Sequence, residues 1–167
     1  MIIAAFSGVG KTTFAKLYPD KVIDFCCMPY KYERNDIKVF SEADKADPNL
    51  DFIFGWEYNY VEAIKQNMSK DKILLIPSDF RVLSLLRKDS IPYLLCYPER
   101  EAKEEYHKRF IERGNSENFI DIFIGGWDNF LDSLESDSYG KHIVFDSDQF
   151  LSDVINVDAI LTDEIKK

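Results

Sequence analysis

The chain has 167 residues, 46% of them hydrophobic, which is one ordinary domain with enough apolar material for a core. Its formal net charge of −9 argues against a protein that coats nucleic acid or an anionic membrane, although a local phosphate site needs only a few cations. Cys26, Cys27 and Cys96 show no zinc-ligand spacing, no basic leader precedes the first apolar residues, and no apolar run is long enough to span a bilayer, so a cytoplasmic, reducing location is expected.

Five apolar runs of strand length follow one another at residues 2–6 (IIAAF), 21–26 (KVIDFC), 72–77 (KILLIP), 92–97 (PYLLCY) and 142–146 (HIVFD). Near-continuous apolarity suits strands buried on both faces, as in a parallel sheet. Helical patterns separate them. KTTFAKLY follows the first run. WEYNYVEAIKQNM precedes the third, with Trp56, Tyr58 and Tyr60 read mainly as core. DFRVLSLLRKD follows the third. EREAKEEYHKRFIERG ends at Gly114. SENFIDIFIGGWDNFLDSLES carries an apolar stripe from Ile120 to Leu134 that Gly125-Gly126 can interrupt. Alternating strands and helices predict an α/β fold built of right-handed βαβ units, with residues 1–167 as one domain. Residues 28–55 fit neither period and are long for a connection; we read them as a flap on the acceptor side of a site, the alternative being a surface excursion.

Residues 5–12, AFSGVGKT, fit the phosphate-loop pattern G-x-x-x-x-G-K-[ST] with Ala5 in place of the first Gly. The glycines let successive N–H groups of Ser7, Gly8, Val9, Gly10, Lys11, Thr12 and Thr13 point inward as an anion nest, and the following helix aims its N-terminus at the phosphates. Lys11 then bridges β- and γ-phosphates, and Thr12 offers a hydroxyl to Mg²⁺. Ala5 is acceptable because that position ends the strand, away from the phosphates.

Together with Asp24, the segment PSDFR (77–81) and the pair Arg109/Arg113, this loop resembles the nucleoside-monophosphate-kinase-like group of P-loop NTPases, which includes adenylate, guanylate and shikimate kinases, and small ATP-binding proteins of bacteria and phages. The resemblance implies a three-layer sandwich with a five-stranded parallel sheet in order 2-3-1-4-5 and phosphoryl transfer from ATP-Mg²⁺. It implies that Asp24 holds the metal directly or through water, or takes a proton from an acceptor hydroxyl; the second acid common in such kinases is replaced by Cys26, and a cap of the following loop is the alternative for Asp24. Asp79 and Arg81 resemble the acceptor-binding acid and arginine of the DGFPR segment, without its Gly and Pro; Asp79 is equally a helix N-cap. Arg109 and Arg113, at i and i+4 on one helix face, resemble catalytic lid arginines, which makes 109–118 a short lid; a solvated helix with a Glu105–Arg109 pair is the alternative. Tyr30 and Tyr32 are candidates for stacking on a base, and the loop at 145–151 corresponds to one that passes the adenine.

Three functions follow. The first is an ATP-dependent kinase of a small acceptor, a nucleoside monophosphate or related nucleotide. The second is a kinase of a hydroxyl acceptor, a metabolite or polynucleotide 5′ end; net acidity and the missing second acid disfavour it, and a basic stripe formed by Lys31, Arg34 and Lys38 would revive it. The third is a nucleotide-binding module without transfer; no Asn-Lys-x-Asp guanine signature is present. Nothing in the sequence fixes an oligomeric state.

Overall fold

The computed structural model describes residues 1–33 and 41–165. Strands β1 (Ile2–Ala5), β2 (Val22–Asp24), β5 (Ile73–Pro77), β6 (Leu94–Pro98) and β7 (Lys141–Phe145) form one parallel sheet in the order β2-β5-β1-β6-β7. The numbering departs from the expected 2-3-1-4-5 because two strands intervene in the chain: β3 (Tyr32–Glu33) and β4 (Asp51–Phe52) pair antiparallel as a separate two-stranded sheet. Two residues per strand are too few to show a period in sequence, and their pairing of Tyr32 with Phe52 and Glu33 with Asp51 was not foreseen. The short helix α2 (Met28–Lys31) leads into β3.

The central strand explains its own composition. β1 has a strand on each side and no side chain exposed, so both faces must be apolar. Helices flank the sheet, an arrangement compatible with a three-layer sandwich: α1 (Lys11–Leu17), α3 (Trp56–Asn67), α4 (Phe80–Lys88), α5 (Lys103–Glu112), α6 (Glu117–Gly125), α7 (Trp127–Glu135), α8 (Leu151–Val154) and α9 (Val157–Ile165).

Helix ends are set by local chemistry. Asp79 caps α4 by accepting from the Arg81 amide at 3.0 Å, and Ser116 caps α6 by accepting from the Phe119 amide at 3.2 Å. α5 stops because Gly114 takes φ +74°, which lets the amides of Gly114 and Asn115 return to the carbonyls of Ile111 and Phe110. The expected lid at 109–118 is therefore a helix end, a tight turn and a helix start. The long apolar stripe divides at Gly126 into α6 and α7.

On α3, Trp56 and Tyr60 are fully buried, but Tyr58 is 61% exposed, which corrects its assignment to the core: at helical pitch a residue two positions on faces away. Buried Asp137 ties α4, β6 and the turn into β7 by accepting from Arg87 (2.5 Å), Tyr93 (2.7 Å) and the amides of Tyr139 and Gly140 (2.9 Å each). Among the described residues, no helix is long and apolar enough to cross a membrane.

Candidate functional site

β1 delivers the chain at the carboxyl edge of the sheet, where the loop at residues 6–10 turns into α1. Gly8 (φ +93°) and Gly10 (φ +88°) both hold left-handed backbone that other residues rarely adopt. Space is also restricted: a Cβ on Gly8 would lie 3.0 Å from the Tyr106 ring and 3.1 Å from Phe110, and one on Gly10 would lie 3.2 Å from Phe150. The loop is thus roofed by α5 on one side and by the segment before α8 on the other, and the Leu151 amide donates to the Val9 carbonyl at 3.0 Å.

Lys11, the first residue of α1, folds its ammonium inward to donate to the carbonyls of Ala5 (2.8 Å) and Phe6 (2.9 Å). Burial lowers its pKa to about 8; the charge of Asp24 opposes that fall, and those of Lys45 and Arg113 add to it. Thr12 donates to Asp24 Oδ2 at 2.6 Å, so the first turn of α1 and the end of β2 bring a hydroxyl and a carboxylate together. These are hard oxygen donors of the kind Mg²⁺ accepts. Asp24 is positioned by the sheet itself, in register with Leu75 of β5. Ser7 is partly buried, and Thr12 and Thr13 are exposed. Cys27, two residues past the neighbour of Asp24, is kept a neutral thiol by burial, which pushes its pKa up to about 12.

The two arginines of α5 separate. Arg109 is only 7% exposed, and its guanidinium donates to the carbonyls of Ser147 (2.6 Å) and Gln149 (3.3 Å) while lying 4.1 Å from the Phe150 ring centroid and 4.7 Å from that of Tyr106. It fixes the loop 147–150 against the glycine loop. Arg113 instead donates to Glu42 at 2.7 Å. Asp79 and Arg81 meet in a bidentate pair at 3.2 and 3.0 Å, and Arg81 also lies over the rings of Trp56, Phe80 and Phe52. Asp79 therefore caps, and it also orients Arg81.

Asp79 and Arg81 line a cavity of about 810 Å³. Lys31 and Tyr32 form part of one wall, and Phe123 and Phe130, stacked at 5.1 Å, part of the other. Those two rings pack edge-on against buried Phe6 at 5.6 and 6.3 Å, which ties that wall to the start of the glycine loop, although no residue of 6–13 lines the cavity. Asp24 and Arg109 do not line it. Tyr30 is not at the cavity; it packs on Phe25 and Tyr60. Arg34 and Lys38 lie outside the described residues. No protein-family model matches this chain, and no curated protein matches its sequence.

Sequence reasoning missed Glu42, whose carboxylate accepts from Arg113, Lys45 and Asn115. The i, i+3 spacing of Glu42 and Lys45 was a signal, but only for a local pair. It also passed over α6 and α7 as a cavity wall.

Proposed function

We propose that this chain is an ATP-Mg²⁺-dependent phosphotransferase of the P-loop class, acting on a small acceptor, a nucleoside monophosphate or related nucleotide. The observation that carries the reading is the meeting, at one sheet edge, of a left-handed glycine loop, an inward lysine and a Thr–Asp pair beside an aromatic cavity. Lys11 leaves its two carbonyls for the β- and γ-phosphates. Thr12 and Asp24 hold the metal, whose charge offsets that of the phosphates when bound. Arg109 keeps Phe150 against the glycine loop and so shapes the base slot. The rings of Tyr32, Phe123 and Phe130 offer faces to a planar acceptor, and Arg81 and Lys31 supply positive charge there.

The Arg81–Asp79 pair favours a second reading. Because Asp79 neutralises Arg81, a hydroxyl acceptor with no phosphate of its own also suits the cavity.

A coupled ADP-release assay decides between them, run with ATP-Mg²⁺ against nucleoside monophosphates, deoxynucleoside monophosphates, alcohol metabolites and a 5′-hydroxyl oligonucleotide. Stimulation by one class, abolished in Lys11→Ala of unchanged circular dichroism, supports transfer to that class. Turnover that survives Lys11→Ala places the phosphate site elsewhere. Tight ATP binding that no acceptor stimulates supports the module without transfer.

A further inference from the structure

The flap segment 42–46 docks on the α5–α6 turn through a small ionic cluster. Glu42 Oε1 accepts from Lys45 at 2.8 Å; its Oε2 accepts from Arg113 Nη2 at 2.7 Å and from Asn115 Nδ2 at 3.1 Å. Around this carboxylate the turn also holds flap backbone: Ser116 donates to the Lys45 carbonyl at 3.3 Å and Asn118 to the Ala46 carbonyl at 2.5 Å. Ala46 sits at φ +59°, left-handed backbone that a non-glycine residue adopts only when its surroundings impose it.

Two cations, Lys45 and Arg113, converge on the single carboxylate of Glu42. One donor is also left over: Arg113 Nη1 is buried with no hydrogen-bond partner. Glu42 meets Arg113 only through Nη2, so its carboxylate leaves Nη1 unserved, and the Asn115 Oδ1 acceptor is buried without a partner as well. A terminal phosphate brings three oxygens and more negative charge, enough to meet Lys45 and both Arg113 amines at once. The cluster is also well placed. Arg113 and Asn115 end the helix whose Tyr106 and Phe110 rings roof Gly8, and the Asn115 amide returns to the Phe110 carbonyl. The charges of Lys45 and Arg113 are felt at Lys11 itself.

We propose that Lys45 and Arg113, supported by Asn115, form a phosphate subsite beside the glycine loop, and that Glu42 fills it with its own carboxylate when no ligand is bound. The inference rests on the phosphate-binding reading of residues 6–10. Ligand entry is then an exchange of anions: the phosphate displaces Glu42 and takes over its two cations, one of which rides on the flap. The flap thereby changes from being latched by its own residue to being latched by the ligand. The phosphate can belong to the donor nucleotide or to a phosphorylated acceptor.

Two full-length variants test this, Glu42→Gln and Lys45→Met, each titrated calorimetrically with ATP-Mg²⁺, inorganic tripolyphosphate and adenosine monophosphate. Removing the competing carboxylate should tighten phosphate binding about two- to fivefold, the range of a partly exposed ion pair, and removing the lysine should weaken it by a similar factor. A purely structural latch would move both variants in the same direction, because each loosens the same contact. Tightening toward ATP and tripolyphosphate assigns the subsite to the donor; tightening toward the monophosphate alone assigns it to the acceptor. Lys11-dependent ATP binding that Glu42→Gln leaves unchanged or weakens overturns the subsite and spares the glycine-loop reading. Tripolyphosphate binding that responds to both variants but not to Lys11→Ala keeps the subsite and overturns that reading. No binding by any of the proteins overturns both.

Discussion

Lys11 gives the sharpest quantitative expectation, because its ammonium is poorly hydrated and surrounded by opposing charges. With a pKa of about 8 in the empty protein, it is largely protonated at neutral pH and largely neutral one unit above its midpoint. Phosphate binds the charged form. Apparent ATP affinity should therefore fall as pH rises through the midpoint, by about tenfold from neutrality to about pH 9, which is about 1.4 kcal/mol. The sign follows from linkage: bound phosphate raises the lysine pKa, so binding takes up a proton, and that uptake weakens affinity only where the empty site has already lost it. The phosphate itself completes its second ionisation below this window, with a pKa near about 6, and so does not confuse the reading. Calorimetry in two buffers of different ionisation enthalpy counts the proton directly, about three-quarters of one per site half a unit above the midpoint. Asp24→Asn removes the charge that supports the ammonium, so it should move the midpoint to lower pH, and Lys11→Arg should flatten the profile because a guanidinium does not titrate there. A wild-type affinity that is flat across this range, or a midpoint indifferent to Asp24→Asn, would refute the argument that burial of Lys11 sets its charge.

Gly10→Ala forces a left-handed alanine, which costs about 1–2 kcal/mol, and presses its Cβ on Phe150 at 3.2 Å. The thermal midpoint should fall by roughly 3–8 °C in a domain of this size, read by circular dichroism; an unchanged midpoint would mean the loop relaxes freely. Arg109→Leu removes two carbonyl contacts and two ring contacts, for a loss of about 2–4 kcal/mol. Hydrogen exchange at the amides of Phe150 and Leu151 should accelerate more than exchange elsewhere in the protein, and a uniform increase would show global destabilisation instead.

The strands of the large sheet were legible because burial on both faces leaves an unbroken apolar run, and each of the five observed strands begins and ends within two residues of its run. Helix ends at Asp79 and Gly114 were legible for a similar reason, because caps are local chemistry, whereas the cap at Ser116 was read as part of the lid. The role of Arg109 was not. Its spacing from Arg113 put both on one face, but what surrounds Arg109 comes from residues 147–150, about forty positions away, and no local pattern carries that information. The Glu42 cluster was hidden for the same cause: its partners at 113–118 lie about seventy residues on, so Glu42 and Lys45 look like ordinary loop charges until the flap folds over. Tyr58 shows the opposite error, in which residue type suggested burial that helical phase forbids.

The central position of β1 has a consequence for how the chain is made. Its hydrogen-bonding partners are β5 and β6, which emerge from the ribosome some seventy and ninety residues later. Until residues 73–98 are available, an entirely apolar strand has no mate, and both of its edges present unpaired backbone to any passing strand. The non-local pairings also carry the loop-closure entropy that slows folding. Collapse of the domain during synthesis must therefore wait for the middle of the message, and the interval in which the first strand stands alone is when the nascent chain most needs shielding by a chaperone.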